Sequence, residues 1–269
     1  MPRTAWRRAV AAFALTASAA TAQPSSSVFI DDLTWTELRE RIAAGNTTAI
    51  VPIGGTEQNG PLMALGKHNA RVKILSEMIA RRLGDSLVAP VIAYVPEGGV
   101  GSPTGHMRFP GTITVPETTF ESTLEFAARS LRRAGFRDIV FLGDHGGYQK
   151  NERAVAARLD REWRGQPARV HAIEEYYRAS QAAYAQALEQ RGYNRDQIGE
   201  HAGLADTSLT LALAPELVRS DRLGAGAKPG ASDGVSGDPR RATVELGRIG
   251  VEIIVAQTVQ AISRAVASR

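Results

Sequence analysis

The chain has 269 residues, 43% of them hydrophobic and 22% charged, with 26 glycines, 13 prolines and no cysteine. That balance excludes a disordered, fibrous or polytopic membrane protein, and the missing cysteine excludes disulfides, thiolate metal sites and a cysteine nucleophile. A formal charge of +4 would suit a polyanion partner, but three of the basic residues, Arg3, Arg7 and Arg8, open an N-terminal segment with its own explanation.

Arg3, Arg7 and Arg8 precede the apolar run Ala9 to Leu15 and a small-residue stretch ending Ala20-Thr21-Ala22. A basic region, a short apolar core and an A-x-A site read as a signal peptide over 1–22, with residues 23–269 as a single mature domain. The expected location is periplasmic or secreted, by Sec export or a twin-arginine route. Removing those three arginines leaves 29 basic against 28 acidic residues, so no nucleic-acid partner is expected, and no membrane contact after cleavage.

Asp32 to Ala44 reads as a helix stopped at Gly45-Asn46. Thr48 to Ile53 is a short buried strand running into Gly54-Gly55-Thr56-Glu57, and a helix follows over 69–83, closed by Gly84. Leu87 to Val95 is expected as a strand, and Pro96 to Pro110 as a breaker-rich loop long enough to be functional. That loop offers Glu97, Ser102, Thr104 and His106 to a pocket wall. A short strand at 113–115, a proline-started helix over 116–134 and the apolar strand 138–142 lead to Gly143-Asp144-His145-Gly146-Gly147. A helix over 151–163, a strand over 168–173 and a helix over 174–190 come next. Polar 199–208 runs into helical 209–213, Gly224 to Pro239 is a glycine-rich surface segment, and 242–267 is a long apolar helix. Strands alternating with helices predict a mostly parallel sheet in a three-layer α/β/α sandwich.

Four of the five histidines, His68, His106, His145 and His201, lie in turns rich in glycine or aspartate, while His171 sits in an apolar strand as a core residue. Glu57 and His145 each follow a strand of one parallel sheet, so both reach the same edge, where open α/β sheets place their chemistry. His68, eleven residues after Glu57, opens the next helix. Two imidazoles and one carboxylate form the ligand set of hydrolytic zinc sites that keep a position for water. His201 and Asp206 flank a glycine turn, an arrangement suited to a general acid and its orienting group, or to a simple helix cap at Asp206. His106 is placed to reach over the site from the long loop.

The segments Val51 to Pro61, Phe109-Pro110-Gly111-Thr112, Gly135 to Val140 with Asp144-His145-Gly146-Gly147, His201 to Ser208, and Gly234 to Pro239 together resemble the creatininase (creatinine amidohydrolase) family over about residues 28–267. The resemblance implies a three-layer fold, a metal-dependent hydrolase of amide C–N bonds using metal-activated water, and often a homo-oligomer. In its metal pair Glu57 and His145 match the expected ligands. Asn59 stands where a histidine is implied, His68 where a bridging aspartate is implied, and Gly147 where creatininase has a further glutamate. An imidazole cannot bridge two cations. The expectation is therefore one metal per chain, most simply Zn with Mn or Fe as alternatives. Glu57, His68 and His145 would hold it, with Asn59 or Asp206 as a further ligand or supporting group. His201 would protonate the leaving nitrogen of a small cyclic or linear amide. The alternative is a repurposed relative that binds a small ligand without catalysis.

Overall fold

The computed structural model describes residues 26–268 apart from 225 and 227, so the signal-peptide reading of 1–22 lies outside the described residues. Four parallel strands carry the architecture: β1 (Thr48–Ile53), β2 (Ser86–Val88), β3 (Asp138–Gly143) and β4 (Arg169–Ala172), in the order β2-β1-β3-β4. β1 and β3 are fully buried along their length, as expected of central parallel strands covered on both faces. Their register pairs Ile53 with Gly143, which puts the loops after both strands side by side at the carboxyl edge.

Alternation along the strands sends side chains to two cores. Ile50, Val140 and Leu142 pack with Val72, Leu75, Ile79, Leu209, Ile254 and Val255, against α2 (Lys67–Leu83), α8 (Leu204–Leu213) and α9 (Val244–Ala267). Val51, Ile53, Ile139 and Phe141 pack with Phe120, Leu124, Val155 and Leu159, against α3 (Glu117–Ala134) and α4 (Gln149–Glu162). The expected three-layer α/β/α arrangement is the one observed. α1 (Trp35–Ala43), α5 (Glu174–Arg178), α6 (Tyr184–Glu189) and α7 (Arg195–Ile198) complete the helices, with a π-helical turn over Ala179–Ala183 between α5 and α6. α9 is long and apolar enough to cross a membrane by length and composition. Leu246, Gly247, Gly250, Val251, Ile254 and Ile262 are nevertheless buried against the other helices, as in a core helix.

Three expectations change. The strand over 87–95 stops at Val88, because Pro90 has no N–H for the ladder; Ile92 then makes one isolated bridge to Ile53. The strand at 113–115 reduces to an antiparallel bridge between Thr56 and Ile113. α2 begins at Lys67 and α8 at Leu204, earlier than the sequence suggests, which carries His68 and Asp206 into first helical turns.

Candidate active site

Glu57 and His145 meet where β1 and β3 end. Tyr148 holds the two ends together: its hydroxyl lies 2.9 and 2.6 Å from the Ile53 and Gly54 carbonyls and accepts the His145 N–H at 3.1 Å. Asn69 of α2 accepts the Gly55 N–H at 2.9 Å, and a Cβ at Gly54 would collide with it. The Gly-Gly pair therefore lets α2 close onto the loop that presents Glu57.

The Glu57 carboxylate is wholly buried, and its two oxygens live differently. Oε1 receives His68 Nε2 at 2.7 Å, with Lys67 Nζ at 3.7 Å and His201 Nδ1 at 3.6 Å. Oε2 has no hydrogen-bond partner, yet His106 Nε2 stands 3.2 Å away and His145 Nε2 3.4 Å away. Two ligand atoms each about 2.0–2.2 Å from a tetrahedral ion stand about 3.3–3.6 Å apart, whereas 2.7 Å is hydrogen-bond distance. His106, His145 and His201 thus have the spacing of co-ligands to Glu57, and His68 has that of a hydrogen-bond partner. Two groups bring their ligand atoms within 4.8 Å of one another: Glu57 with His106 and His201, and Glu57 with Glu97 and His145. An orphaned, buried carboxylate oxygen faced by neutral imidazoles fits a divalent cation.

Burial would raise the Glu57 pKa, but His68, Lys67 and His145 outweigh it and hold the carboxyl well below its usual range. The neighbouring Glu97 moves the other way, pushed up to about 9 by burial and by the charge of Glu57. Burial brings His145 down to about 4 and, with Lys67, His201 down to about 3; it also lowers His106. The three rings are neutral at neutral pH; His145 Nδ1 accepts the Gly147 N–H at 3.2 Å, so its proton sits on Nε2, and an ion binding there would displace it.

Hydrogen bonds assign the tautomers of the other two as well. Gln58 is oriented by the Gly60 N–H, which its Oε1 accepts at 2.9 Å, and by Nε2–H donation to the Gly234 carbonyl at 2.9 Å. The same nitrogen lies 2.9 Å from His106 Nδ1 and 3.1 Å from His201 Nε2; because His201 Nε2 is itself a donor, the remaining Gln58 N–H goes to His106 Nδ1, so His106 carries its proton on Nε2, facing Glu57. His201 Nε2 lies 2.9 Å from the Gln58 carbonyl, which only accepts. That nitrogen is therefore protonated and Nδ1 holds the lone pair. The sequence reading gives the proton-donating role to His201; the network leaves His201 a lone pair and gives the available N–H to His106.

Three other residues of the expected site have partners that the sequence did not indicate. His68 was expected as a metal ligand, but both its nitrogens are engaged, Nδ1 by Asp144 at 2.6 Å and Nε2 by Glu57, so it positions Glu57. Asn59, expected as an occasional ligand, donates from Nδ2 to the Glu57 and Ala64 carbonyls, each at 2.9 Å, and serves the loop backbone. Asp206 neither orients His201 nor joins a ligand set: it receives Lys67 at 2.6 Å, Arg71 at 2.7 Å and the Ala202 N–H at 2.9 Å. Gln58 orients His201 instead. His171 pairs with Asp138 at 2.9 Å, away from the site.

Sequence reasoning missed Lys67, Arg71 and Asp144 as members of the site, and placed Glu97 on the pocket wall without a role. Arg71 ties Asp144 to Asp206, and Tyr176 donates to Asp144 at 2.7 Å. The i, i+1, i+4 spacing of Lys67, His68 and Arg71 on one helix face was a usable signal. A cleft of about 990 Å³ opens over Lys67, Arg71, Asp144 and Asp206, with Tyr177, Arg195, Glu200 and Lys228 on its wall. The Tyr177 ring lies so close over Gly146 that a Cβ there would come within 2.6 Å of its hydroxyl.

A parallel α/β sheet with a buried acid and three imidazoles at its carboxyl edge defines a hydrolase-type site. Residues 31–262 match the family model described as creatinine amidohydrolase, and the chain belongs to the creatininase family. It is 32% identical over 205 residues to the creatinine amidohydrolase of Pseudomonas putida, a match covering 74% of this chain and 76% of that one. It is 27% identical to a mycofactocin precursor peptide peptidase of Mycolicibacterium smegmatis, covering 76% and 80%. A crystal structure of creatininase superposes with a TM-score of 0.76 at 27% identity, covering 90% of this chain and 98% of that one. Solved creatininase structures include a Mn form and a Zn–Zn form.

Proposed function

We propose that the protein is a divalent-metal-dependent amidohydrolase, exported in its mature form, acting on a small cyclic or linear amide. The observation that carries this reading is Glu57 Oε2, buried and without a hydrogen-bond partner, between His106 and His145 at 3.2 and 3.4 Å. Glu57 and His145 would hold the ion, with Zn the first expectation and Mn or Fe as alternatives. A bound divalent ion supplies a Lewis acid and acidified water.

The chain's own residues supply the rest. His68 and Lys67 fix Glu57 through Oε1, leaving Oε2 facing the ligand position. His106, locked by Gln58 with its proton on Nε2, presents an N–H toward the reacting centre. That N–H can stabilise negative charge on the amide oxygen or pass a proton to the departing nitrogen. His201, anchored through Nε2, presents a lone pair on Nδ1 and receives a proton or a substrate N–H. Tyr177, whose hydroxyl is pushed up to about 12 by burial and by Asp206, stays an O–H donor on the pocket wall. The cleft admits a substrate larger than one ring, so linear amides belong in the screen.

A second reading, ligand binding without catalysis, draws support from Lys67 and His68, which already occupy one oxygen of Glu57. The deciding experiment is elemental analysis and amidase screening of the mature protein beside Glu57→Gln. About one ion per chain, lost together with activity in the variant, is expected. No ion after reconstitution with Zn²⁺ or Mn²⁺ moves the assignment to the binding protein.

A further inference from the structure

We propose that Glu97, from the loop after β2, is a direct ligand of the metal, joining Glu57 and His145. The inference rests on the proposed metal dependence and adds a ligand that the sequence motifs do not supply.

The Glu97 side chain is completely inaccessible to solvent, and neither of its oxygens has a hydrogen-bond partner. Among the described residues its one ion-pair contact is with His145, whose Nδ1, itself accepting the Gly147 N–H, lies 3.8 Å from Oε2, which leaves Nε2 as the His145 nitrogen for the ion. A buried carboxyl group with neither oxygen hydrogen-bonded is poorly served without a partner, and a divalent cation that displaced its proton would supply one. Glu57, whose Oε2 is also bare, belongs to the same cluster, since one ligand atom each of Glu57, Glu97 and His145 lie within 4.8 Å of one another. Lys67 and His68 serve the other oxygen of Glu57 and form no ion pair with Glu97. One divalent cation would satisfy all three groups at once.

The chain is also shaped to bring Glu97 there. Its N–H donates to Thr114 Oγ1 at 2.9 Å, and the same hydroxyl donates to the Gly98 carbonyl at 3.1 Å, so the backbone is pinned on both sides of the acid. Gly55 has φ +150°, and a Cβ added there would stand 2.8 Å from Glu97 Oε1. The glycine beside the catalytic strand's end thus leaves the space the carboxylate occupies.

The test is titration of the metal-free mature protein with Zn²⁺, by competition with a chromophoric chelator, for wild type, Glu97→Gln and Glu97→Asp, together with the visible spectrum of each Co²⁺ derivative. Glu97→Gln keeps shape and removes the charge; a loss of at least about 10–100-fold in Zn²⁺ affinity and an altered Co²⁺ spectrum are expected. Glu97→Asp, one methylene shorter but still charged, should fall between wild type and Glu97→Gln, and it carries the test if the glutamine variant does not fold. Wild-type affinity and an unchanged Co²⁺ spectrum in both variants would overturn the assignment of Glu97 while leaving metal dependence intact. No Zn²⁺ binding by the wild type would overturn both.

Discussion

His106 and His201 sit in the same cluster with their ring centroids 4.4 Å apart, yet one offers a proton and the other a lone pair because the side chain and main chain of Gln58 face them differently. This makes a specific expectation for His106→Ala: kcat falls about 10²- to 10³-fold, the scale for losing one positioned donor, while metal content is retained. Kinetics paired with metal analysis check it, and loss of the metal would instead make His106 a ligand. At this scale Glu57 and His145 were legible in the sequence, because each directly follows an apolar strand and a parallel sheet brings such positions to one edge. Glu97 was not, since an acid between Pro96 and Gly98 in a loop without regular structure carries no signal of where its carboxylate points.

At the scale of elements, the site depends on how closely α2, α8 and α9 approach. Gly247 of α9 lies against the Ser208 carbonyl of α8 so tightly that any Cβ would overlap it, and Gly250 would meet the Tyr184 ring at 2.9 Å. Gly247→Ala should therefore destabilise the fold by about 1–3 kcal/mol despite the better helix propensity of alanine, since overpacking costs more than propensity returns. Denaturant midpoints measure this, and an unchanged midpoint would show that α8 and α9 can separate freely. Their separation would also move Asp206, which anchors Lys67 and Arg71 of α2. The long apolar helix at 242–267 was evident from the sequence; its two close-contact glycines had no visible role until α8 was placed beside them. The helix start at Lys67 was hidden too, because Gly66 offers no side-chain cap to mark it.

For the whole molecule, the buried titrating groups predict how stability varies with pH. His145 and His201 have folded values of about 4 and 3, below that of an unfolded histidine, so the unfolded chain takes up protons first and stability falls as pH drops from about 6.5 toward 4. Glu97, raised to about 9, holds a proton that the unfolded chain has already released, so metal-free stability also falls as pH rises from about 6.5 toward 9. Burial also lowers His106 and raises Glu152 well above the usual carboxyl range, so three histidines stand against two glutamates where the windows overlap, which puts the maximum near about pH 6.5. Thermal unfolding in chelator from pH 5 to 9 should show this peak, and a midpoint still climbing at pH 9 would rule out a buried protonated Glu97. Metal should flatten the alkaline arm, because a ligand that binds only the folded state adds stability as its carboxylates ionise.

The parallel α/β arrangement, the sheet edge that gathers Glu57 and His145 and the family resemblance followed from the sequence alone, since hydrophobic periodicity and ordered motifs are local properties of the chain. Partnerships across the fold did not: His68 between Glu57 and Asp144, Asp206 with Lys67 and Arg71, His201 oriented by Gln58, and Glu97 beside Gly55. Each joins groups brought near by loop paths and helix packing, and the proton positions follow only when every donor and acceptor in the network is assigned together.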